Sequence, residues 1–404
     1  MVDGRAGFRG DGAVRAAGDE APVRRGPVRD RAACRHGRCP PRRQVCSGAG
    51  GGGELTWIEY LVSMNRSELP KSEYPAEWKQ YRPEITFVVG AGASKGFDLP
   101  VTGEIVEGLK AEPLRYHRSI SEFYARFNPL SESKCAAHAE YLLKNFSREL
   151  RLSSQDSIDA FLERRAEEFG EIGKLVIASA LLPKQELMIE SFPGSDSWHS
   201  YLYTRYLAQF EDWSQAPIAF VVFNYDHILE LALFLARAHS HGSNDHRRSW
   251  SEVSKLHLIH VYGSLGTTVQ PTLSNDDRQI TIGHSMMHIR MNEALKQIRV
   301  VSDRTVDMEC FDIARGWVQS CKKLVFLGFA MDDTNLNRIG LPTGRTITMP
   351  SEGVFASAIK LPRMAQQRLE EAFAWRGGVH NEQGQCVFGR THEACRQFLS
   401  EYVL

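Results

Sequence analysis

Gly90-Ala91-Gly92-Ala93-Ser94 sets two glycines one residue apart, directly after Ile85–Val89, five residues that are all β-branched or aromatic. Such a turn lets backbone N–H groups come close to a ligand. A helix starting after it adds its positive end, so the stretch suits a pyrophosphate. A bare strand-to-helix turn would use the same residues. The full G-x-G-x-x-G pattern is not met, because Lys95 stands where the third glycine belongs. Three further polar or small clusters follow apolar runs: Asn224-Tyr225-Asp226, His260–Gly266 and Gly328-Phe329-Ala330. An amide and a carboxylate two residues apart at a strand end could line a site there, or could cap a helix. A histidine at a strand end could orient a water or accept from a hydroxyl, or be a satisfied core residue. Asp332 and Asp333 read as caps of a following helix, and Lys95 as a solvated charge.

The elements that must carry these residues alternate. Ile85–Val89 and Ile218–Phe223 read as strands buried on both faces. Lys255–Val261, Leu324–Leu327 and Val354–Ile359 add three more. Helices are expected at Gly103–Leu109, at His227–Ala238, and over 286–297, 307–320 and 363–375. A mostly helical block, about 112–213, interrupts the first two strands. Ser197 and Thr102 are expected N-caps. Strands separated by helices predict a parallel α/β sheet. Ligands of such sheets bind outside the carboxyl ends of the strands, where all four clusters fall. On a strand through Val261, His260 and Tyr262 would share a face. A neutral imidazole there could act on a hydroxyl or a water, whereas a phenol, with a reference pKa of about 10, is a poor base.

In this order, the Gly90–Ser94 turn, Asn224-Tyr225-Asp226, Tyr262-Gly263-Ser264 and Gly328-Phe329-Ala330 resemble the NAD-site motifs of the sirtuin superfamily. They are most similar to the bacterial SIR2-like domains of anti-phage defence proteins. The resemblance covers about residues 85–360. It implies a Rossmann-like sheet that binds NAD and hydrolyses it to nicotinamide and ADP-ribose. Gly90, Ala91, Gly92 and Ser94 would hold the pyrophosphate and adjacent ribose. Asn224 would position the water or carboxamide near the glycosidic bond, and Asp226 would hold the nicotinamide amide. Gly328, Phe329 and Ala330 would lie along the dinucleotide, beside Tyr262, Gly263 and Ser264. The family's catalytic histidine stands directly before the Gly-Ser pair. Tyr262 occupies that place here, so His260 is the candidate to take over its role. The replacement also suits a non-catalytic NAD or ADP-ribose sensor or assembly subunit. The four-cysteine zinc module of the protein-deacylating sirtuins is missing, which disfavours deacylation and implies a zinc-free domain. Oligomerisation is expected, with a separately encoded ATPase or nucleic-acid-guided defence protein as partner; the chain has no P-loop match of its own.

Bulk properties agree with a globular enzyme or binding module. The 404 residues are 42% hydrophobic and 24% charged, with a formal net charge of +0. That balance gives no general attraction to nucleic acid or membrane. Residues 1–53 hold 11 Arg against 5 acids, leaving 38 basic and 44 acidic residues in the rest. This Gly/Arg/Pro-rich segment lacks apolar periodicity. Residues 1–64 are therefore expected to be disordered or an upstream extension before Met64, with residues 65–404 as the NAD-binding domain. The 8 cysteines are scattered without a C-x-x-C pair. They give neither a zinc knuckle nor a disulfide framework, no metal is expected, and a reducing cytoplasm is the expected compartment. The most apolar stretch, around Ile218–Ala236, is broken by Asn224, Asp226, His227 and Glu230, which argues against a membrane span.

Overall fold

The computed structural model describes residues 74–404. It leaves out positions 156, 189–191, 193, 242–245, 267–270, 274–279, 283–286, 300–307, 342–349 and 358–361, and most of 365–394. The expectation for residues 1–64 lies outside the described residues, as does most of the helix expected over 363–375.

A six-stranded parallel sheet forms the centre. Its strands are β1 (Ile85–Val89), β2 (Ile218–Val222), β3 (His257–His260), β6 (Lys323–Leu327), β7 (Gly353–Ala356) and β8 (Cys386–Phe388), in the order β3-β2-β1-β6-β7-β8. The remaining strands, β4 (Pro271–Leu273) and β5 (Ile280–Ile282), pair antiparallel as a separate ribbon. The parallel α/β expectation holds. β1 and β2 are buried at every position, as their continuous apolar runs require, and Phe87 stacks on Phe220 across them. Of the five expected strands, β1, β2 and β6 match closely. β3 and β7 are shorter, and β8 adds a sixth at the far edge.

The register brings the strand ends level. Val89 lies beside both Val222 and Leu327, and Val222 lies beside His260. β1 therefore sits where the chain's path reverses. The sheet grows through β2 and β3 on one side and through β6, β7 and β8 on the other.

The helical block is present between β1 and β2. After the Thr102–Ala111 helix come helices His117–Phe127, Glu132–Leu152, Ile158–Glu186 and Trp198–Arg205. Ser197 caps the last of these by accepting from the His199 and Ser200 N–H groups. Thr102 is not a cap but the first helical residue; Glu104 closes that turn by accepting from the Val101 N–H. The Ile158–Glu186 helix breaks at Arg165, whose φ of −128° and ψ of 25° are not helical. Its short first piece folds back, so Leu162 packs against Gly173, where a Cβ would come within 2.5 Å of the leucine.

Candidate functional site

Three side chains from two segments meet beyond the ends of β1 and β2. Asn224 donates through Nδ2 to Ser94 Oγ at 3.0 Å, and Ser94 Oγ donates to Asp226 Oδ1 at 3.0 Å. Asp226 Oδ1 also accepts the Ile228 N–H at 3.1 Å, so it caps the Ile228–His241 helix while facing the serine. The cap and site readings of Asp226 are therefore compatible. All three residues are buried. Asn224 Oδ1 has no hydrogen-bond partner among the described residues. A buried amide oxygen left open is costly, which makes it the atom of this trio ready for an outside donor.

Asn224 and Asp226 border a cavity of about 40 Å³, whose polar side Asp159 and Tyr225 complete. Ala91, Leu99, Ile105, Ile177 and Phe223 form much of its apolar wall. Burial raises the carboxyls of Asp159 and Asp226 above the ordinary range, against the hydrogen bonds each accepts. The Tyr225 hydroxyl donates to Asp159 Oδ1, and burial raises that phenol as well. Asp159 is a site residue that the sequence did not single out. It lies one position inside the Ser157-capped helix start, where a carboxylate ordinarily reads as a partner of the helix dipole.

The glycines have a different task. Gly90 donates to the Leu327 carbonyl, Gly92 to the Gly328 carbonyl at 2.9 Å, and Ala93 to the Gly90 carbonyl at 2.9 Å. A Cβ on Gly90 would lie 2.6 Å from Gly328 O, and one on Gly92 would lie 2.9 Å from the same oxygen. Their missing side chains thus admit the β6 turn rather than an open groove, and these three N–H groups are already used. Ala91 alone of the turn's first three residues lines the cavity. Trp198 Nε1 holds the turn from outside by donating to Ala93 O at 3.0 Å. Gly328 N–H donates to Ser357 Oγ, Phe329 packs edge-on against Phe223, and Ala330 is exposed.

His260 and Tyr262 separate. β3 ends at His260, so strand alternation does not reach Tyr262 and the expected shared face is lost. His260 Nδ1–H donates to the Asn224 carbonyl at 2.8 Å, and its Nε2 lies 2.8 Å from Glu230 Oε1. Burial works against its charge, but Glu230 and that carbonyl raise its pKa above the ordinary histidine value. Burial also opposes ionisation of Glu230, yet His260 and His227 outweigh it and hold the carboxyl well below the usual range. Tyr262 instead reaches Asn335, to which its hydroxyl donates, and Arg338, from which it accepts. It packs against Phe223 and Phe311, and burial raises its phenol well above the ordinary value. Gly263 lies against the Gln297 carbonyl, and Ser264 Oγ donates to the Gly266 carbonyl at 2.8 Å. Both close the turn after β3.

The structure therefore brings Ser94, Asn224 and Asp226 together, seats His260 behind the Asn224 backbone, and places Tyr262 in a separate contact set. No family model matches the chain, and no curated protein matches it. None of the described helices is long and apolar enough to cross a membrane.

Proposed function

We propose that this chain binds NAD across the carboxyl ends of β1, β2 and β6 and hydrolyses its nicotinamide–ribose bond, as a SIR2-like enzyme of anti-phage defence. The observation that carries the reading is the buried Ser94–Asn224–Asp226 trio with the open Asn224 Oδ1, at the point where the strand order reverses. Counted over the parallel sheet alone, the order is that of Rossmann-like dinucleotide folds, whose ligands bind at that reversal. The motif resemblance supplies the substrate.

Cleavage of the glycosidic bond builds oxocarbenium character on the ribose, so fixed dipoles and a dry site matter more than a strong nucleophile. Asn224 would hold the water or the carboxamide through Oδ1, and Asp226 the nicotinamide amide. Asp159 adds a second, half-buried carboxyl lining the same space. His260 acts through the Asn224 backbone and is a positioning residue in this arrangement. A cavity of about 40 Å³ holds a few waters. Ligand sites typically span roughly 300–1,000 Å³, so NAD requires the pocket to widen. Activity is then gated by that opening, consistent with an effector that waits for a trigger or partner, such as a separately encoded ATPase or nucleic-acid-guided protein.

The test is incubation of the pure full-length chain with NAD and separation of the products. Free nicotinamide and ADP-ribose without an acyl substrate support the reading; turnover only with an acyl-lysine peptide would replace it with deacylation. The engagement of Tyr262 by Arg338 and Asn335 favours a second reading, a non-catalytic NAD or ADP-ribose sensor. Saturable binding without product would select it.

A further inference from the structure

Behind the trio, His227, Glu230 and His260 converge on one point. The three offer ligand atoms that all lie within 4.8 Å of one another, and all three residues are buried. His227 Nδ1 lies 3.0 Å and His260 Nε2 2.8 Å from the same oxygen, Glu230 Oε1. The other nitrogen of each ring faces a backbone carbonyl: Gly266 O at 3.1 Å for His227 Nε2, and Asn224 O at 2.8 Å for His260 Nδ1. A carbonyl only accepts, so each ring carries its proton on the carbonyl side. Each neutral ring therefore turns a lone pair toward the carboxylate.

We propose that His227, Glu230 and His260 form a binding site for one divalent first-row transition metal, Zn²⁺ being the reference ion. A metal at the convergence point gives both lone pairs a partner and leaves both rings neutral. Histidine ligands that hand their second N–H to a backbone carbonyl have the usual outer arrangement of a metal centre. Two imidazoles and a carboxylate suit Zn²⁺, Fe²⁺ or Mn²⁺. With metal–ligand distances of about 2.0–2.2 Å, tetrahedral ligand atoms stand roughly 3.4 Å apart, so the two separations above need to open by only about 0.5 Å. A second, independent sign is Glu230 Oε2, which is buried and has no hydrogen-bond partner among the described residues. Bidentate coordination would use it. The local sequence explains the geometry: His227-x-x-Glu230 places both side chains on one face at the start of the Ile228–His241 helix, and β3 delivers His260 opposite. The site involves no cysteine and is unrelated to the missing zinc module. Its role is structural: it ties the Asn224 loop, the helix start and the turn at Gly266 together. The inference is independent of NAD turnover.

The experiment uses the full chain, treated with chelator, dialysed and shown to be folded by circular dichroism. Titration with Co²⁺ alone should give one visible-absorbing site per chain, displaced by Zn²⁺. His227→Ala, His260→Ala and Glu230→Gln should each weaken uptake by at least the roughly 10–100-fold that even outer-shell changes cost. X-ray absorption of the wild-type Zn²⁺ form should show only nitrogen and oxygen neighbours with imidazole scattering, which keeps the test valid should the variants fail to fold. Absence of uptake by folded wild-type chain overturns the proposal. So do sulfur neighbours, or folded variants that bind as the wild type does.

Discussion

The two flanks of β1's carboxyl end are built on opposite principles. Toward β6, backbone meets backbone: Gly90 and Gly92 press on Gly328 with no side chain between them. Toward β2, side chain meets side chain, through Ser94, Asn224 and Asp226. The first flank has no room to change and no free donor among the groups described above. The second holds an unpartnered oxygen and borders a cavity. Glycines that look like ligand contacts in the sequence are here packed on another backbone, and the unpartnered polar atom lies on the other flank.

The largest effect is expected from adding a methyl group to the glycine flank. Gly328 has φ +58°, and a Cβ there would lie 2.0 Å from Ala93 N. Gly328→Ala should lose about 4 kcal/mol or more of stability, or fail to fold. A melting temperature near wild type would show that the flank can relax, and the contrast with β2 would collapse. Next comes Asn224→Ala, which should keep the fold but lower NAD turnover by about 10²–10³, the usual loss for one preorganised donor or acceptor. Unchanged kcat in the folded variant would reduce Asn224 to a structural residue and leave both flanks alike.

A smaller effect concerns the support behind the Ser94 turn. His199 is fully buried next to Trp198, and burial pushes its pKa down to about 3. The unfolded chain takes up a proton near pH 6.5, well before the native ring does. Stability from this group is therefore complete above pH 6.5 and falls as pH drops toward 3, by about 1.4 kcal/mol per pH unit. Relative to His199→Gln, the wild type should lose about 2 kcal/mol between pH 6.5 and 5. Parallel denaturation curves for the two proteins across this range would mean that the native ring protonates freely. The smallest effect is expected at Tyr262→Phe, which removes the hydroxyl shared with Asn335 and Arg338 but touches neither flank. It should cost roughly 1 kcal/mol of stability and leave most turnover intact. A dead Tyr262→Phe enzyme would move the chemistry to the β3 turn.

Most of the sheet was legible because β1, β2 and β6 are short, uninterrupted apolar runs, and nothing else of that length fits a strand buried on both faces. β8 escaped because Cys386–Phe388 is too short to show any period. The clusters at the strand ends were legible as a set, since the parallel order forces them to one side. Their division of labour was not. Whether a glycine faces a ligand or another backbone depends on strand neighbours hundreds of positions away, as Gly90 and Gly328 show. His227 and Glu230 were read only as charges that interrupt an apolar stretch. Their i, i+3 spacing was visible, but His260 becomes their partner only through the β2–β3 register.

The broken helix over Ile158–Glu186 has a consequence for motion. Asp159, near its start, holds the Tyr225 side chain, and Gln185, near its end, accepts the His227 N–H at 2.7 Å. A straight helix would put those two grips about 39 Å apart; the break at Arg165 returns the first piece so that both close on Tyr225–His227 like a clasp. Both grips tie the loop bearing Asn224 to this one helix. Deuterium should enter the His227 amide only when the clasp lets go, so its exchange should keep step with the helix around Gln185 rather than with the loop surface.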